Sequence, residues 1–163
     1  QSLLRALAEI GLDALLLGHV SYVTCASPAY LERAGEPRTP GDLESHSCIA
    51  FTATSPRPEQ WSFWDSGKRE RAVTVRARLV VNTGRAAIDA AVAGLGIVRV
   101  LSYQIESFCK SGALRTVLSE YGPAPVPVHI VSLTGHRSRS ARAFVKYAAD
   151  GLKHRLRALT GVR

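Results

Sequence analysis

Hydrophobic positions along this chain follow two spacings, one typical of helices and one typical of strands. Near the amino end, apolar residues recur at helical spacing until Gly11 interrupts them. Runs of apolar and β-branched residues predict strands at 19–27, 48–51, 97–101 and 125–133. Helical spacing predicts helices from residue 28, at 40–46, 85–93 and 103–110, and after Ser138 or Ser140. Helices that alternate with short apolar strands predict an α/β fold.

A β-hairpin is expected between residues 61 and 81. Trp61–Trp64 and Ala72–Val81 flank Asp65-Ser66-Gly67, which is a turn signal. In the second arm, apolar residues alternate with polar ones, which predicts one buried face formed by Val73, Val75, Ala77 and Leu79. Trp61 and Phe63 share a face at strand spacing, and we expect them to pack in the core and not to stack on a ligand.

Most predicted helices begin with residues suited to that position. Ser27 precedes Pro28 and Thr39 precedes Pro40, so a hydroxyl cap is followed by proline at the first helical position. Asn82-Thr83-Gly84 is expected to cap the helix at 85–93, and Ser102 the helix at 103–110. Each of these strands is therefore followed directly by a helix. In open α/β sheets, small ligands bind at the edge formed by the carboxyl ends of the strands, where the helices begin.

Composition narrows the class of protein. The chain has 163 residues, 46% hydrophobic and 21% charged, which is ordinary for a globular protein. No apolar run reaches the ~18 residues that a membrane span needs. The three cysteines are odd in number and far apart, which indicates a reduced, cytoplasmic environment. Because methionine is absent, we expect a piece of a longer protein.

A formal net charge of +8 favours an acidic partner, or simply solubility. The basic residues are dispersed, and their densest groups are HRLRALTGVR at the carboxyl end and Lys68–Arg71 in the hairpin. For both groups, a solvated surface is favoured over a surface that contacts an acidic partner.

Sequence motifs of catalysis and metal binding are missing. The chain has no G-x-S-x-G elbow, P-loop or H-E-x-x-H motif, and Gly94-Leu95-Gly96 follows a helix instead of a strand. The five histidines are scattered and lack metal-ligand spacing. Cys25 has no histidine partner nearby in sequence. We therefore predict no enzyme activity, no catalytic or metal site and no cofactor.

Two segments carry a family resemblance. Residues 22–51 read YVTCASPAYLERAGEPRTPGDLESHSCIAF, and residues 82–105 read NTGRAAIDAAVAGLGIVRVLSYQI. The order and the residues of these segments resemble the effector-binding domain of LysR-type transcriptional regulators. The resemblance extends over roughly residues 12–157. It implies a type 2 periplasmic-binding-protein-like fold, with two Rossmann-like lobes joined by crossover strands.

The resemblance also implies domain boundaries. Residues 1–27 and 127–163 would form a partial first lobe with the crossover strands, and residues 28–126 the second lobe. A regulator of this family has an amino-terminal winged helix-turn-helix, a linker helix and the first strands of the first lobe, and this sequence lacks them. DNA binding is therefore expected only through an amino-terminal domain outside this chain.

In proteins that this chain resembles, strand ends surround the effector. Matching positions give the candidate effector-binding residues Thr24, Ser27, Phe51, Thr52, Asn82, Thr83, Val98, Arg99 and Ser102. Each also has a structural explanation. Asn82 and Thr83 could only cap a helix, Thr24 and Ser27 could satisfy local backbone, and Arg99 could face solvent or pair with a carboxylate.

The function implied is effector sensing: a small metabolite, anionic or aromatic, binds in the cleft between the lobes and modulates transcription. The partners implied are this effector and further copies of the domain in a homo-oligomer, without a membrane. Two alternatives remain at this point. One is a periplasmic solute-binding protein of the same fold, and the other is a dimerisation module without a ligand.

Overall fold

The structure is a computed structural model that describes residues 2–52, 57–65, 69–133 and 138–159. Its backbone divides into two compact units. Unit 1 combines Gln1–Val20 with Pro125–Arg163, and unit 2 is Ser21–Ala124. The division falls before residue 21, whereas the sequence analysis placed the second lobe at 28–126.

Helices and strands alternate along most of the described chain. In order, they are α1 (Ser2–Glu9), β1 (Leu12–Val20), β2 (Tyr22–Ala26), α2 (Pro28–Ala34), a 3-10 helix (Pro40–Glu44), β3 (Cys48–Phe51), β4 (Gln60–Trp64), β5 (Glu70–Thr74), β6 (Ala77–Val81), α3 (Gly84–Val92), β7 (Ile97–Leu101), α4 (Ser102–Lys110), β8 (Arg115–Val117), a second 3-10 helix (Ser119–Tyr121), β9 (Val126–Leu133) and α5 (Arg139–Leu159). None of the described helices is both long enough and apolar enough to cross a membrane.

Unit 1 contains a two-stranded antiparallel sheet of β1 and β9, with α5 packed on β1. Gly18 allows the close approach, because a Cβ there would lie 3.2 Å from the Cβ of Leu156. Strand β1 begins at Leu12, although the sequence predicted strand only from residue 19. Its first residues are good helix formers, and pairing with β9 overrides that preference.

Helix α5 begins as predicted, because the hydroxyl of Ser138 accepts a hydrogen bond from the backbone N–H of Ala141 at 3.1 Å. Helical spacing in the sequence predicts an apolar side that is only partly buried in the structure, formed by Ala143, Phe144, Tyr147, Ala148, Leu152 and Leu156. Phe144 is 70% exposed and Tyr147 is 80% exposed, whereas Ala149 is buried. The buried side of the helix is thus rotated from the predicted one.

Unit 2 contains a five-stranded sheet in the order β6-β3-β7-β2-β8. Strand β3 runs parallel to both β6 and β7, whereas β2 runs antiparallel to β7 and β8. Helix α3 packs on one face, where Ile49, Val98 and Val100 join Ala87 and Ile88 in a core cluster. A second core cluster includes Tyr30, Leu31, Leu43, Trp61, Phe63 and Ile97.

The predicted hairpin is present, but its second arm is shorter than expected. Strands β4 and β5 pair antiparallel from Gln60↔Thr74 to Trp64↔Glu70. The chain then leaves the hairpin, and β6 pairs in parallel with β3, so Ala72–Val81 is not one strand. Trp61 and Phe63 are buried, which confirms that they belong to the core. Residues 66–68 of the predicted turn lie outside the described residues.

The first 3-10 helix shows how local chemistry fixes a helix start. The Asp42 carboxylate accepts hydrogen bonds from the backbone N–H groups of Thr39 at 2.9 Å and Arg38 at 2.8 Å. These bonds, with that of Thr39 the larger effect, hold the pKa of Asp42 below its usual value of 3.8. The contribution to stability is therefore complete above pH 3.8 and is lost as the pH falls through the folded-state pKa.

We expect Asp42→Ala to lower the urea midpoint of unfolding at neutral pH, because two backbone donors lose their acceptor. The difference from the wild type is expected to shrink as the pH is lowered below 3.8. Glu44→Ala is the control in the same helix, since Glu44 is exposed. An Asp42→Ala deficit that is equal at neutral and acidic pH would contradict this account.

Candidate functional site

Three parallel strands of unit 2 end at the same edge of the sheet, which we call the carboxyl edge. Strands β3, β6 and β7 end at Phe51, Val81 and Leu101. Thr52 and Asn82, the residues that follow β3 and β6, are both exposed. The carboxyl edge therefore presents polar side chains directly after the ends of β3 and β6, where α/β sheets bind ligands.

Helices α3 and α4 begin side by side at the carboxyl edge. Thr83 caps α3 as predicted, and its hydroxyl accepts a hydrogen bond from the N–H of Ala86 at 3.2 Å. A Cβ at Gly84 would lie 2.9 Å from Nε2 of Gln104, so the first turns of α3 and α4 are in close contact. First-turn N–H groups lack intrahelical partners and carry partial positive charge, which favours a negatively charged or hydrogen-bond-accepting ligand.

Ser102 has a different role from the one predicted. The cap of α4 is Leu101, whose backbone N–H donates to Oε1 of Gln104 at 3.1 Å, and Ser102 is the first helical residue. The hydroxyl of Ser102 accepts from the N–H of Ser21 at 3.4 Å, and the Ser102 N–H donates to the Ser21 carbonyl at 2.8 Å. Ser102 therefore joins the start of β2 to the start of α4 at the carboxyl edge.

Arg99 lies on β7, is partly buried, and has its guanidinium over two aromatic rings. Its Cζ is 4.8 Å from the ring centroid of Tyr22 and 5.5 Å from that of Phe63. Tyr22 pairs with Leu101, which places it at the carboxyl edge. Burial lowers the pKa of the Arg99 guanidinium below its usual value, and the nearby Tyr22 and Glu70 oppose that shift.

Of the two structural explanations offered for Arg99, pairing with a carboxylate is not observed among the described residues. Its side chain is partly exposed, so the guanidinium still reaches solvent. Sequence reasoning missed its two aromatic neighbours. The alternation in β4 placed Phe63 in the core, but no local pattern linked Phe63 or Tyr22 to Arg99, because the three residues come from different strands.

The remaining candidates do not present side chains at the carboxyl edge. Phe51 and Val98 belong to the core cluster beneath α3. Thr24 is buried within β2, opposite Arg99. Ser27 lies at the other end of the sheet, because β2 runs antiparallel to β7, and its hydroxyl caps α2 by accepting from Tyr30 N–H at 3.3 Å. Ser27 therefore does not lie with Thr52 and Asn82 at the carboxyl edge.

The cysteines of unit 2 are poor nucleophiles. Burial raises the pKa of Cys25 to about 12, with a smaller contribution from Cys109. Burial also raises the pKa of Cys48 to about 12, and that of Cys109 to a lesser degree. Thiolate is the reactive form and is scarce at neutral pH for such groups. The described part of the chain contains no cluster of three or more His, Cys, Asp or Glu suited to a metal ion.

Comparison with known proteins agrees with this architecture. The family model for the LysR substrate binding domain matches residues 3–153. The chain therefore belongs to the LysR substrate binding domain family, and it is an effector-binding regulatory domain of the LysR type.

Among curated proteins, the chain is similar to the uncharacterized HTH-type transcriptional regulator YhjC of Escherichia coli K12. The two are 31% identical over 163 residues, which covers 93% of this chain and 51% of that protein. The chain thus spans about half the length of the curated relatives it matches.

Solved structures share the fold. The regulatory domain of AphB from Vibrio vulnificus matches with a TM-score of 0.75 and 22% identity, covering 86% of this chain and 69% of that one. The CrgA regulatory domain from Neisseria meningitidis matches with a TM-score of 0.74 and 21% identity, covering 87% and 69%. The predicted type 2 periplasmic-binding-protein-like fold is therefore confirmed.

Proposed function

We propose that this chain senses a small metabolite for a transcriptional regulator and that the metabolite binds at the carboxyl edge of unit 2. The proposal rests on one observation: the carboxyl edge brings together Thr52, Asn82 and Thr83 and the first turns of α3 and α4. Ligand sites need a few converging polar groups over apolar walls. Exposed side chains and first-turn N–H groups supply those polar groups here.

Each residue at the carboxyl edge has its own part in this proposal. Thr52 and Asn82 are exposed and offer hydrogen bonds to the ligand. Thr83 holds the first turn of α3 in place, because its hydroxyl is already used as the cap. Ser102 positions β2 against α4 through its bonds to Ser21. Phe51, Val98 and Thr24 support the edge from within the sheet.

The regulatory step follows from linkage. A metabolite that binds one conformation of the protein more tightly shifts the population toward that conformation. In the whole regulator, we propose that this shift reaches DNA through a DNA-binding domain in the part of the protein outside this chain, and that the regulator acts as a homo-oligomer in the cytoplasm. Relatives such as YhjC bear the name HTH-type transcriptional regulator, which favours this role over solute transport and over catalysis.

The test uses the complete natural protein and a panel of metabolites. We expect at least one compound to raise the melting temperature, because a ligand that binds only the native state stabilises it. Thr52→Ala is then expected to weaken that compound's affinity by about 2- to 10-fold, the effect of losing one hydrogen bond. Calorimetric titration measures the affinity.

Thr116→Ala is the matched control. Thr116 is an exposed threonine of the same sheet, on β8, where it pairs with Cys25. Its replacement is expected to leave the affinity unchanged. If Thr52→Ala and Thr116→Ala behave alike, the ligand binds away from the carboxyl edge. A panel in which no compound raises the melting temperature would count against sensing itself.

A further inference from the structure

The guanidinium of Arg99 lies over two aromatic rings, and among the described residues its N–H groups have no hydrogen-bond or ion-pair partner. Its Cζ lies over the ring of Tyr22 at 4.8 Å and over the ring of Phe63 at 5.5 Å. Arginine stacks on aromatic rings through its flat faces, which leaves the N–H groups along its edge free to donate. Within the described residues, no carboxylate lies within 4.0 Å of these nitrogens and no oxygen accepts a hydrogen bond from them.

We propose that Arg99 binds a carboxylate group of the effector, and that Tyr22 and Phe63 form the walls of this subsite. The proposal rests on the function proposed above and names the class of ligand: a molecule with a planar carboxylate. Tyr22 lies at the carboxyl edge, so the subsite joins the polar groups of Thr52 and Asn82 already assigned to the ligand.

The charges around Arg99 leave room for an anion. Glu70, on β5, is near enough to act on Arg99 electrostatically but forms no ion pair with it among the described residues. The residues outside the described part of the chain include no aspartate or glutamate, so they supply no carboxylate side chain either. Arginine stays protonated in proteins. Arg99 therefore keeps a positive charge that the described protein does not neutralise.

Burial makes this charge unusual in the chain. Among the described residues, the arginines that form ion pairs are exposed, as are Arg85, which pairs with Asp89 at 2.9 Å, and Arg115, which pairs with Glu36 at 2.6 Å. Such exposed pairs contribute little energy. Arg99 is partly withdrawn from water, where a charge-assisted bond to a ligand is stronger. Its nitrogens still reach solvent, because no described side-chain nitrogen is buried without a partner.

The balance of charge favours a carboxylate over phosphate or sulfate. A carboxylate carries one negative charge, which the single guanidinium of Arg99 balances. Phosphate carries about −1.5 to −2 at neutral pH, and Glu70 already acts on Arg99 as a nearby negative charge. The aromatic rings of Tyr22 and Phe63 supply no further positive charge for a dianion.

The experiment compares acids with their neutral amides on the complete natural protein. The probes are benzoate, succinate and pyruvate, each beside its primary amide, together with any carboxylate that binds in the metabolite panel. Inorganic phosphate and sulfate at matched ionic strength test the charge of the anion. Calorimetric titration is expected to show at least one carboxylate that binds at least about tenfold more tightly than its amide.

Arg99→Gln is expected to weaken that binding by about 10- to 100-fold, since a charge-assisted pair is lost. Arg99→Lys retains the charge without the bidentate fork, and should give an intermediate loss if the pairing geometry matters. Arg115→Gln is the matched control, because Arg115 pairs with Ala26, at the opposite end of β2 from Tyr22. It is expected to bind like the wild type. Circular dichroism melts confirm that each variant is folded.

The outcomes separate this inference from the function it rests on. Equal binding of an acid and its amide, or full affinity in Arg99→Gln or Arg99→Lys, overturns the carboxylate subsite. Tighter binding of phosphate or sulfate than of any carboxylate also overturns it. If a neutral metabolite binds with an affinity that depends on Thr52 but not on Arg99, the proposed sensing function stands and only the carboxylate subsite is contradicted. If no compound binds in either panel, both the sensing function and the carboxylate subsite are contradicted.

Discussion

Gly96→Ala is expected to destabilise unit 2 by about 2–4 kcal/mol, because the added methyl group has no space. A Cβ at Gly96 would overlap the carbonyl oxygen of Ser47 and lie 2.9 Å from its carbon. Both are backbone atoms, so they cannot move aside as a flexible side chain can. The same carbonyl accepts a hydrogen bond from Ile97 N–H at 2.9 Å. Relieving the overlap would break this bond and separate β3 from β7, two strands that end at the carboxyl edge.

Urea unfolding followed by circular dichroism measures the effect. Gly122→Ala is the control in the same unit, because Gly122 has φ −61° and ψ 140°, a conformation open to alanine before proline. A Cβ there would be 3.5 Å from the Ser119 carbonyl oxygen, an ordinary contact. Gly122→Ala is expected to change stability by less than about 1 kcal/mol. Equal midpoints for the two variants would show that β3 and β7 tolerate a shift at Gly96.

Features set by neighbours in sequence were predicted well. The hydroxyls of Ser27 and Thr83 each accept from an N–H three residues ahead, a contact that depends only on local backbone. The strand at Cys48–Phe51 was also predicted, because four consecutive buried residues leave a continuous apolar run. Such signals are readable from the sequence because their partners are a few residues away.

Strand direction was not readable in the same way. In the sequence, the passage from β2 to the helix cap Ser27 resembles the passage from β6 to the helix cap Thr83. In the sheet, however, β2 runs antiparallel to β7, whereas β6 runs parallel to β3. Direction is decided by which strands pair, and β2 pairs with β7, far along the chain. Ser27 therefore lies at the opposite end of the sheet from Thr83, which the sequence did not predict. The sequence did not predict the break between β5 and β6 for the same reason, because β6 leaves the hairpin to pair with the distant strand β3.

The site was predicted in part. Its backbone frame at Thr52, Asn82 and Thr83 follows from strands that give way to helices, a pattern visible in the sequence. The surroundings of Arg99 could not be predicted from the sequence, because Tyr22 and Phe63 come to it from separate strands. A charged residue inside an apolar strand was the one available signal, and it indicated an unusual environment without identifying the rings.

Leu43→Ala is expected to cost about 3–5 kcal/mol of folding free energy, because it leaves a cavity in the second core cluster of unit 2. Leu43 lies in the 3-10 helix Pro40–Glu44 and is 0% exposed. The cluster that contains it also contains Trp61 and Phe63 of the hairpin. Since Phe63 is one of the two rings over Arg99, loss of packing here should also loosen one wall of the proposed carboxylate subsite.

Leu95→Ala is the matched control, since Leu95 lies in the same unit and is 45% exposed. Its loss is expected to cost less than about 1 kcal/mol, because exposed side chains bury little area on folding. Urea unfolding gives both values, and titration with a carboxylate that binds the wild type tests the wall. Because an aliphatic cavity acts through packing, Leu43→Ala should weaken acid and amide binding alike, whereas Arg99→Gln should weaken the acid alone. A selective loss of acid binding in Leu43→Ala would mean that the cluster controls the charge of the subsite and not the position of Phe63.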